Sequence, residues 1–344
     1  LCQVKEKKSA HFMVSGGYSQ LNKFFASISL SEANFLGTGN TASINVQKGK
    51  MNSQLSLQYY QPMLKPNQTS RLISLNLVDT KPYESGFSDY NMRDYGATVQ
   101  YGFPIFSQNN RFTLGASFDY IKIGKYDITK LSPSYVNFLT KHPSPYDQIK
   151  VTPGWSFNNL DKYLFPDKGT SQSINLNIGV PVGRDTGTNS SNFRSLGYYS
   201  LEYNGTWYFP VGKKGFNISP HLNLGYGDGI GSDNNLPFFN NFYAGGVASM
   251  PGFEPNSLGP KNPKDVTQPL GGNVKLIGGV NLIFPNPWPN MLRTAVFADA
   301  GNVFDTHHVA GVHYEKVKLK NFRASVGLMV AWNLPIGTMQ FSIA

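Results

Sequence analysis

Charge is scarce in this chain: Asp, Glu, Lys and Arg make up 15% of its 344 residues, where a soluble domain carries about a quarter. There is one cysteine, Cys2, which excludes an internal disulfide and leaves the redox compartment open. Long apolar runs are missing as well. No stretch reaches the ~18 residues that a helical membrane span needs, which excludes a helical membrane protein. A net charge of +10 would suit an anionic partner, yet the positives fall in short groups (Lys5, Lys7, Lys8; Lys213, Lys214). No basic helix or arm gathers them, so nucleic acid is not an expected partner. An initiator Met and a signal peptide are also lacking, and the chain opens mid-pattern at LCQVKEKKS. The expectation is an excised piece of a longer secreted precursor, with Leu1–Lys8 ending a preceding segment.

Aromatics, glycine and alternation fill the space left. Tyr 19, Phe 24 and Gly 35 accompany a mean hydropathy of −0.30. Phe24, Ala26, Ile28 and Leu30 alternate with Phe25, Ser27 and Ser29, and Ala42, Ile44 and Val46 alternate with Ser43, Asn45 and Gln47. Ile174, Leu176, Ile178 and Val180 alternate with Asn175 and Asn177, and the pattern recurs to Met339, Phe341 and Ile343. A side chain on one face at every second position is the β period. Soluble sandwich strands average ~5–6 residues, whereas many of these run to roughly 9–12, the length of a tilted membrane-spanning strand. Tyr and Trp gather near strand ends, as at Tyr59, Tyr60, Trp207 and Tyr208, in the manner of interfacial girdles. The fold expected is all-β: a transmembrane antiparallel β-barrel over residues 9–344.

Two segments break the meander. Ile128–Pro145 has room for a short helix around Ser134–Lys141. Gly229–Gly272 contains NFYAGGVASMPGFEPNSLGPK (Asn241–Lys261), too rich in Gly and Pro for a strand or helix and too aromatic for a merely solvated loop. The expectation is a loop, Ser232–Gly271, folded back into the barrel lumen, with both excursions on one rim.

Enzymatic constellations are not found. His307, His308 and His313 with Glu315 lack metal-site spacing and read as a hydrated loop. Asp228 and Asp233 among glycines lack EF-hand ligand spacing and read as a turn. Lys316, Lys318 and Lys320 alternate as if along a lumen-facing strand. Asp299, in a strand with no base or nucleophile in view, reads as structural.

Several segments, in order, resemble the BamA family of bacterial outer-membrane assembly factors: FLGTGN (Phe35–Asn40), GWSFNNLDKYLFPDKG (Gly154–Gly169), LGYGDGIG (Leu224–Gly231), FYAGG (Phe242–Gly246), GFEPNSLGPK (Gly252–Lys261), FADAGNVFD (Phe297–Asp305) and WNLPIGTMQFSIA (Trp332–Ala344). The resemblance implies a barrel of sixteen strands in the parent, the last of them missing here, preceded by periplasmic POTRA domains. It also implies a bacterial outer-membrane location and a non-enzymatic, cofactor-free role in inserting β-barrel proteins. The partners implied are unfolded outer-membrane protein clients, accessory lipoproteins, and outer-membrane lipid with lipopolysaccharide. The family's lumen-loop motif maps onto Met250, Pro251, Gly252, Phe253, Gly259, Pro260 and Lys261, and its wall acceptor onto Asp299. The lateral seam maps onto the first strand: His11, Phe12, Val14, Gly16, Gly17 and Tyr18. Gly16–Gly17 can serve either a gate that pairs with a client strand or a barrel corner. One departure matters: Pro251 stands where the family has an Arg that reaches wall carboxylates, and Ile283 stands where the second carboxylate would be. Packing by Met250, Pro251 and Phe253 is then expected to hold the loop, with other donors or water serving Asp299. A polypeptide-secretion pore of the two-partner type is the alternative function. A passive porin is a third, opposed by the bulky loop.

Overall fold

The computed structural model describes residues 9–19, 23–64, 68–82, 90–124, 126–182, 194–212, 215–231, 235–307, 317–334 and 337–344. The first eight residues, the Lys213–Lys214 pair, Asp233, His308, His313, Glu315 and Lys316 lie outside them, with the expectations attached to them.

The alternating stretches form β1 (Ala10–Ser19), β2 (Lys23–Glu32), β3 (Thr41–Lys48), β4 (Asn52–Gln61), β5 (Ser70–Thr80), β6 (Asn91–Ile105), β7 (Ser107–Gly124), β8 (Tyr146–Asn158), β9 (Gly169–Val180), β10 (Tyr198–Val211) and β11 (Phe216–Gly229). After a long excursion come β14 (Val274–Phe284), β15 (Leu292–Phe304), β16 (Arg323–Leu334) and β17 (Gly337–Ile343). All fifteen join one sheet, each hydrogen-bonded to its sequence neighbour in the sheet, β11 to β14 included. The short strands β12 (Lys261–Asn262) and β13 (Asp265–Pro269) form a separate hairpin inside the excursion. Among the described residues a helix of nine residues, α1 (Pro133–Lys141), lies between β7 and β8, one residue longer than the sequence suggests because Pro133 serves at its first turn.

The burial pattern is inside-out. Phe24, Ile28, Val326, Leu328 and Phe341 are exposed, at 48–81%, while Ser56 and Ser74 are buried at 2% and 6%. The opposite face carries polar ladders: Ser56 donates to Asn76 Oδ1 at 2.7 Å, and Asn76 donates to Ser74 at 3.2 Å. An apolar outer face and a hydrogen-bonded polar inner face suit lipid outside and water inside. Among the described residues no helix is long and apolar enough to cross a membrane; the strands do the crossing.

Alternation of direction puts the connections after β7, β9, β11 and β15 on one rim, and these are the longest. The β7–β8 and β11–β14 excursions therefore share a rim, as expected. The Lys318–Lys320 row is not a strand: Leu319–Asn321 is a 3-10 turn, and β16 begins only at Arg323. Alternation of Lys with apolar residues cannot by itself distinguish a strand from the turn that feeds one.

Candidate functional site: the loop packed on the inner wall

The β11–β14 connection is anchored at both ends before it turns inward. Phe242 N–H donates to Gly272 O at 2.8 Å and Gly272 N–H returns to Phe242 O at 3.0 Å. Next to this clasp, α1 closes over the loop. Tyr135 stacks on Phe238 with centroids 4.3 Å apart, and its hydroxyl donates to Leu270 O at 2.9 Å. Tyr90 packs edge-on to Phe238 at 4.9 Å, and the Tyr90 and Tyr135 hydroxyls are in hydrogen-bonding contact with that of Tyr243. Burial pushes the Tyr90 and Tyr135 phenols well above the ordinary range. Three chain segments thus share one dry aromatic cluster.

Beyond the clasp the loop packs on the lumen face of the wall. Met250 is 0% exposed and lies with Ala244 and Leu258 against Ile277 of β14 and Val303 of β15; Phe253 packs on the same cluster, half-buried. Ile277 shares the inner face of β14, opposite the exposed Val280 and Leu282. Pro251 and Pro260 are buried, Gly259 lies against Val303, and Lys261 is exposed as the first residue of β12. The tip turns at Gly252, whose φ of +92° a side chain rarely adopts. A Cβ at Gly252 would lie 2.8 Å from Ala344 Cβ and 3.4 Å from Ser325 Cβ. The tip therefore rests on β16 and the end of β17, one edge of the sheet.

Asp299 points inward from β15 and is 4% exposed. Its register partners are Gly279 on β14 and Ser325 on β16, which places the carboxylate beside the strand the loop tip touches. Ile283 is inward-facing and 5% exposed, and its register partner on β15 is Ala295, four residues from Asp299. His221 Nε2 stands 3.2 Å from Asp299 Oδ1.

The Omp85 superfamily domain profile matches residues 34–344. The chain belongs to the Omp85 superfamily. It is 27% identical to the outer membrane protein assembly factor BamA of Neisseria meningitidis, over 99% of this chain and 45% of that protein. The structure of BamA from Haemophilus ducreyi lacking POTRA domains 1–3 superposes with a TM-score of 0.80 at 23% identity, covering 98% of this chain and 66% of that one. CdiB from Acinetobacter baumannii superposes less well, with a TM-score of 0.53 at 15% identity, over 98% of this chain and 57% of that one. The chain thus spans about half the length of the curated BamA it resembles. It is an outer-membrane β-barrel of BamA type.

The first strand lies at the opposite edge of the sheet. In β1, His11, Phe12, Val14, Gly16 and Tyr18 are exposed and Gly17 is half-buried. The ladder to β2 passes through Gly16↔Ala26 and Gly17↔Phe25 with no register shift, so no bulge turns a corner there. Among the described residues β1 pairs only with β2, so Ala10–Tyr18 face another strand along one backbone edge.

The sequence singled out the loop motif and Asp299 but not two side chains that reach across the sheet, His221 beside Asp299 and Arg293 beside Asp167. Neither His221 nor Arg293 stands out in the sequence. Both act across strands distant in sequence, and no local spacing encodes such a contact. Asp228, read as a turn residue, is met by His307 Nε2 at 3.2 Å.

Proposed function

We propose that this barrel folds and inserts other β-barrel proteins into the bacterial outer membrane, with the β1 edge as the lateral seam. The observation that carries the assembly reading is the likeness to BamA over nearly the whole chain, in sequence and in fold, which exceeds the likeness to CdiB. The chemistry is backbone pairing. An unpaired strand edge is costly in hydrocarbon, so the β1 edge can template an incoming client strand by β-augmentation, lowering the barrier that an isolated strand meets at the bilayer. The loop supports the same reading: its tip sits against β16 and β17 and fills part of the lumen that a conducting pore would keep open. Clients, accessory lipoproteins, and lipid with lipopolysaccharide are the partners this reading requires; it needs no nucleotide or cofactor.

The test is the folding rate of a small unfolded client barrel into vesicles with and without this protein embedded, followed by gel mobility. Acceleration that disappears in Gly252→Val and Phe253→Ala variants is the expected result. Absence of acceleration, with passage of an unfolded polypeptide across the vesicle wall instead, would replace this reading with the secretion pore.

A further inference from the structure

Asp299 is a carboxylate buried in the barrel wall, and burying an unpaired charge costs several kcal/mol or forces its neutralisation. Its immediate neighbours do not answer it. Gly279 has no side chain, and Ser325 Oγ is itself buried without a hydrogen-bond partner among the described residues. The loop tip nearby offers no side-chain donor either, since Pro251 and Gly252 carry none. The side chain found at ion-pair distance is the His221 imidazole, on β11, two strands away from Asp299 in the sheet, with Nε2 3.2 Å from Oδ1.

Side chains two strands apart are normally separated by ~10 Å and by whatever the middle strand presents. Here the middle strand presents nothing. Gly279 is the register partner of both His221 and Asp299. A Cβ at Gly279 would lie 1.9 Å from Asp299 Oδ1 and 2.8 Å from His221 Cε1. The glycine is a window, and the imidazole and carboxylate meet in it.

Asp299 Oδ1, like Ser325 Oγ, has no hydrogen bond among the described residues, and His221 Nε2 stands within reach of it. We propose that His221 is a positioning residue that pairs with Asp299 through the Gly279 window, tying β11 to β15 across β14. The wall then supplies its own partner for the buried carboxylate, and the loop tip is held by apolar packing alone. The tip can leave the wall without stranding a carboxylate, which a tether running from the loop to Asp299 would not allow. The inference rests on the barrel fold and not on the assembly reading, and no client enters its test.

The test is a double-mutant cycle on the full chain in lipid vesicles, scored by the temperature at which the heat-resistant, fast-migrating form is lost. His221→Ala is expected to lower that midpoint by several degrees. Adding Asp299→Asn to it should recover most of the loss, because the amide no longer needs a counter-charge. His221→Gln, which keeps a donor at similar reach, should stay close to the unmodified chain. Gly252→Val and His221→Ala should be additive, because tip and pair are separate devices. If His221→Ala fails to fold, folding of the double variant supports the proposal and its failure overturns it. A His221→Ala midpoint equal to the unmodified chain, additive His221 and Asp299 effects, or strong coupling to Gly252 would also overturn it.

Discussion

Arg293 on β15 holds Asp167 of the β8–β9 connection, Nη2 to Oδ1 at 3.1 Å, although three strands lie between β9 and β15 in the sheet. The same guanidinium donates to Pro166 O at 2.8 Å and lies over the Phe165 and Tyr208 rings at 5.2 and 5.7 Å. Asn217 Nδ2 donates to Asp167 at 3.2 Å. A connection that reaches so far round the sheet must cross its concave side, so residues 159–168 form a strap inside the short-turn end of the barrel. The strap is a chord of the curled sheet, as the contact between α1 and the β11–β14 loop is at the other end.

Replacing Arg293 with Met keeps much of the aliphatic bulk and removes the hydrogen bonds and the cation–π contacts. Asp167 is partly exposed, at 39%, so its own stranded charge is solvated and adds little. The expected loss is about 2 kcal/mol, from charge-assisted hydrogen bonds of a buried guanidinium. Trypsin should then cut faster at Lys162 and Lys168. Unchanged cleavage at both sites would mean that the strap is held by something other than Arg293.

The loop's hold on the wall can be probed at Met250. Its side chain is 0% exposed among Ala244, Leu258, Ile277 and Val303. Met250→Ala removes that packing and leaves a cavity, at a cost of about 2–5 kcal/mol. Because the loop is anchored separately by the Phe242–Gly272 clasp and the Tyr135–Phe238 stack, the loss should fall on the inner segment alone. Hydrogen exchange should rise over residues 244–258 and stay slow in β14 and β15. Equal loss of protection in the wall strands would show loop and wall to be one cooperative unit.

His307 carries a pH-dependent contact at the long-loop rim. It follows β15 and faces two carboxylates, with Nε2 3.2 Å from Asp228 and Nδ1 3.7 Å from Asp305. The Asp305 carboxylate, chiefly, and the charge of Asp228 hold its pKa above the ordinary 6.5. A raised folded-state pKa means that the charged form stabilises the folded rim. That stability is fully present below the unfolded-state value and is lost as the pH rises through the folded-state value. The His307 imidazole should therefore titrate above 6.5 by NMR, and Asp305→Asn should lower that midpoint. A midpoint at or below 6.5 would sink this account.

Much of the fold was legible because a β-barrel writes its rule into every strand. Phe24, Ala26, Ile28 and Leu30 face outward as their alternation requires, and β1 (Ala10–Ser19) carries the His11–Tyr18 positions assigned to a first strand. The Asn241–Lys261 loop was legible for the opposite reason: its Gly and Pro forbid a ladder while its aromatics demand burial. What stayed hidden is contact between strands whose separation in sequence carries no signal. His221 and Asp299 meet only because β11, β14 and β15 are adjacent and Gly279 is empty, and Arg293 meets Asp167 only because the sheet curls. The Lys318–Lys320 misreading has a local cause, since a short 3-10 turn can mimic two strand positions.

The glycine pair in β1 separates a functional role from a structural one. A Cβ at Gly16 would sit 3.5 Å from Phe25 O, an ordinary contact, and one at Gly17 would meet the end of the Phe25 ring at 2.8 Å, which a rotation of that side chain relieves. Alanine therefore fits both positions without breaking the ladder to β2, and it removes the backbone entropy cost of glycine in a strand, about 0.5–1 kcal/mol each. The Gly16→Ala/Gly17→Ala double variant should fold at least as stably as the unmodified chain. If the pair exists to keep the β1 edge pliable for an incoming strand, the same variant should insert client barrels more slowly despite its stability. Measuring both quantities on one preparation isolates the effect, because a general folding defect would lower the two together. Client insertion at the unmodified rate, in a variant shown to be stable, would leave the glycines without a gating role and move the search for the seam to other residues of β1.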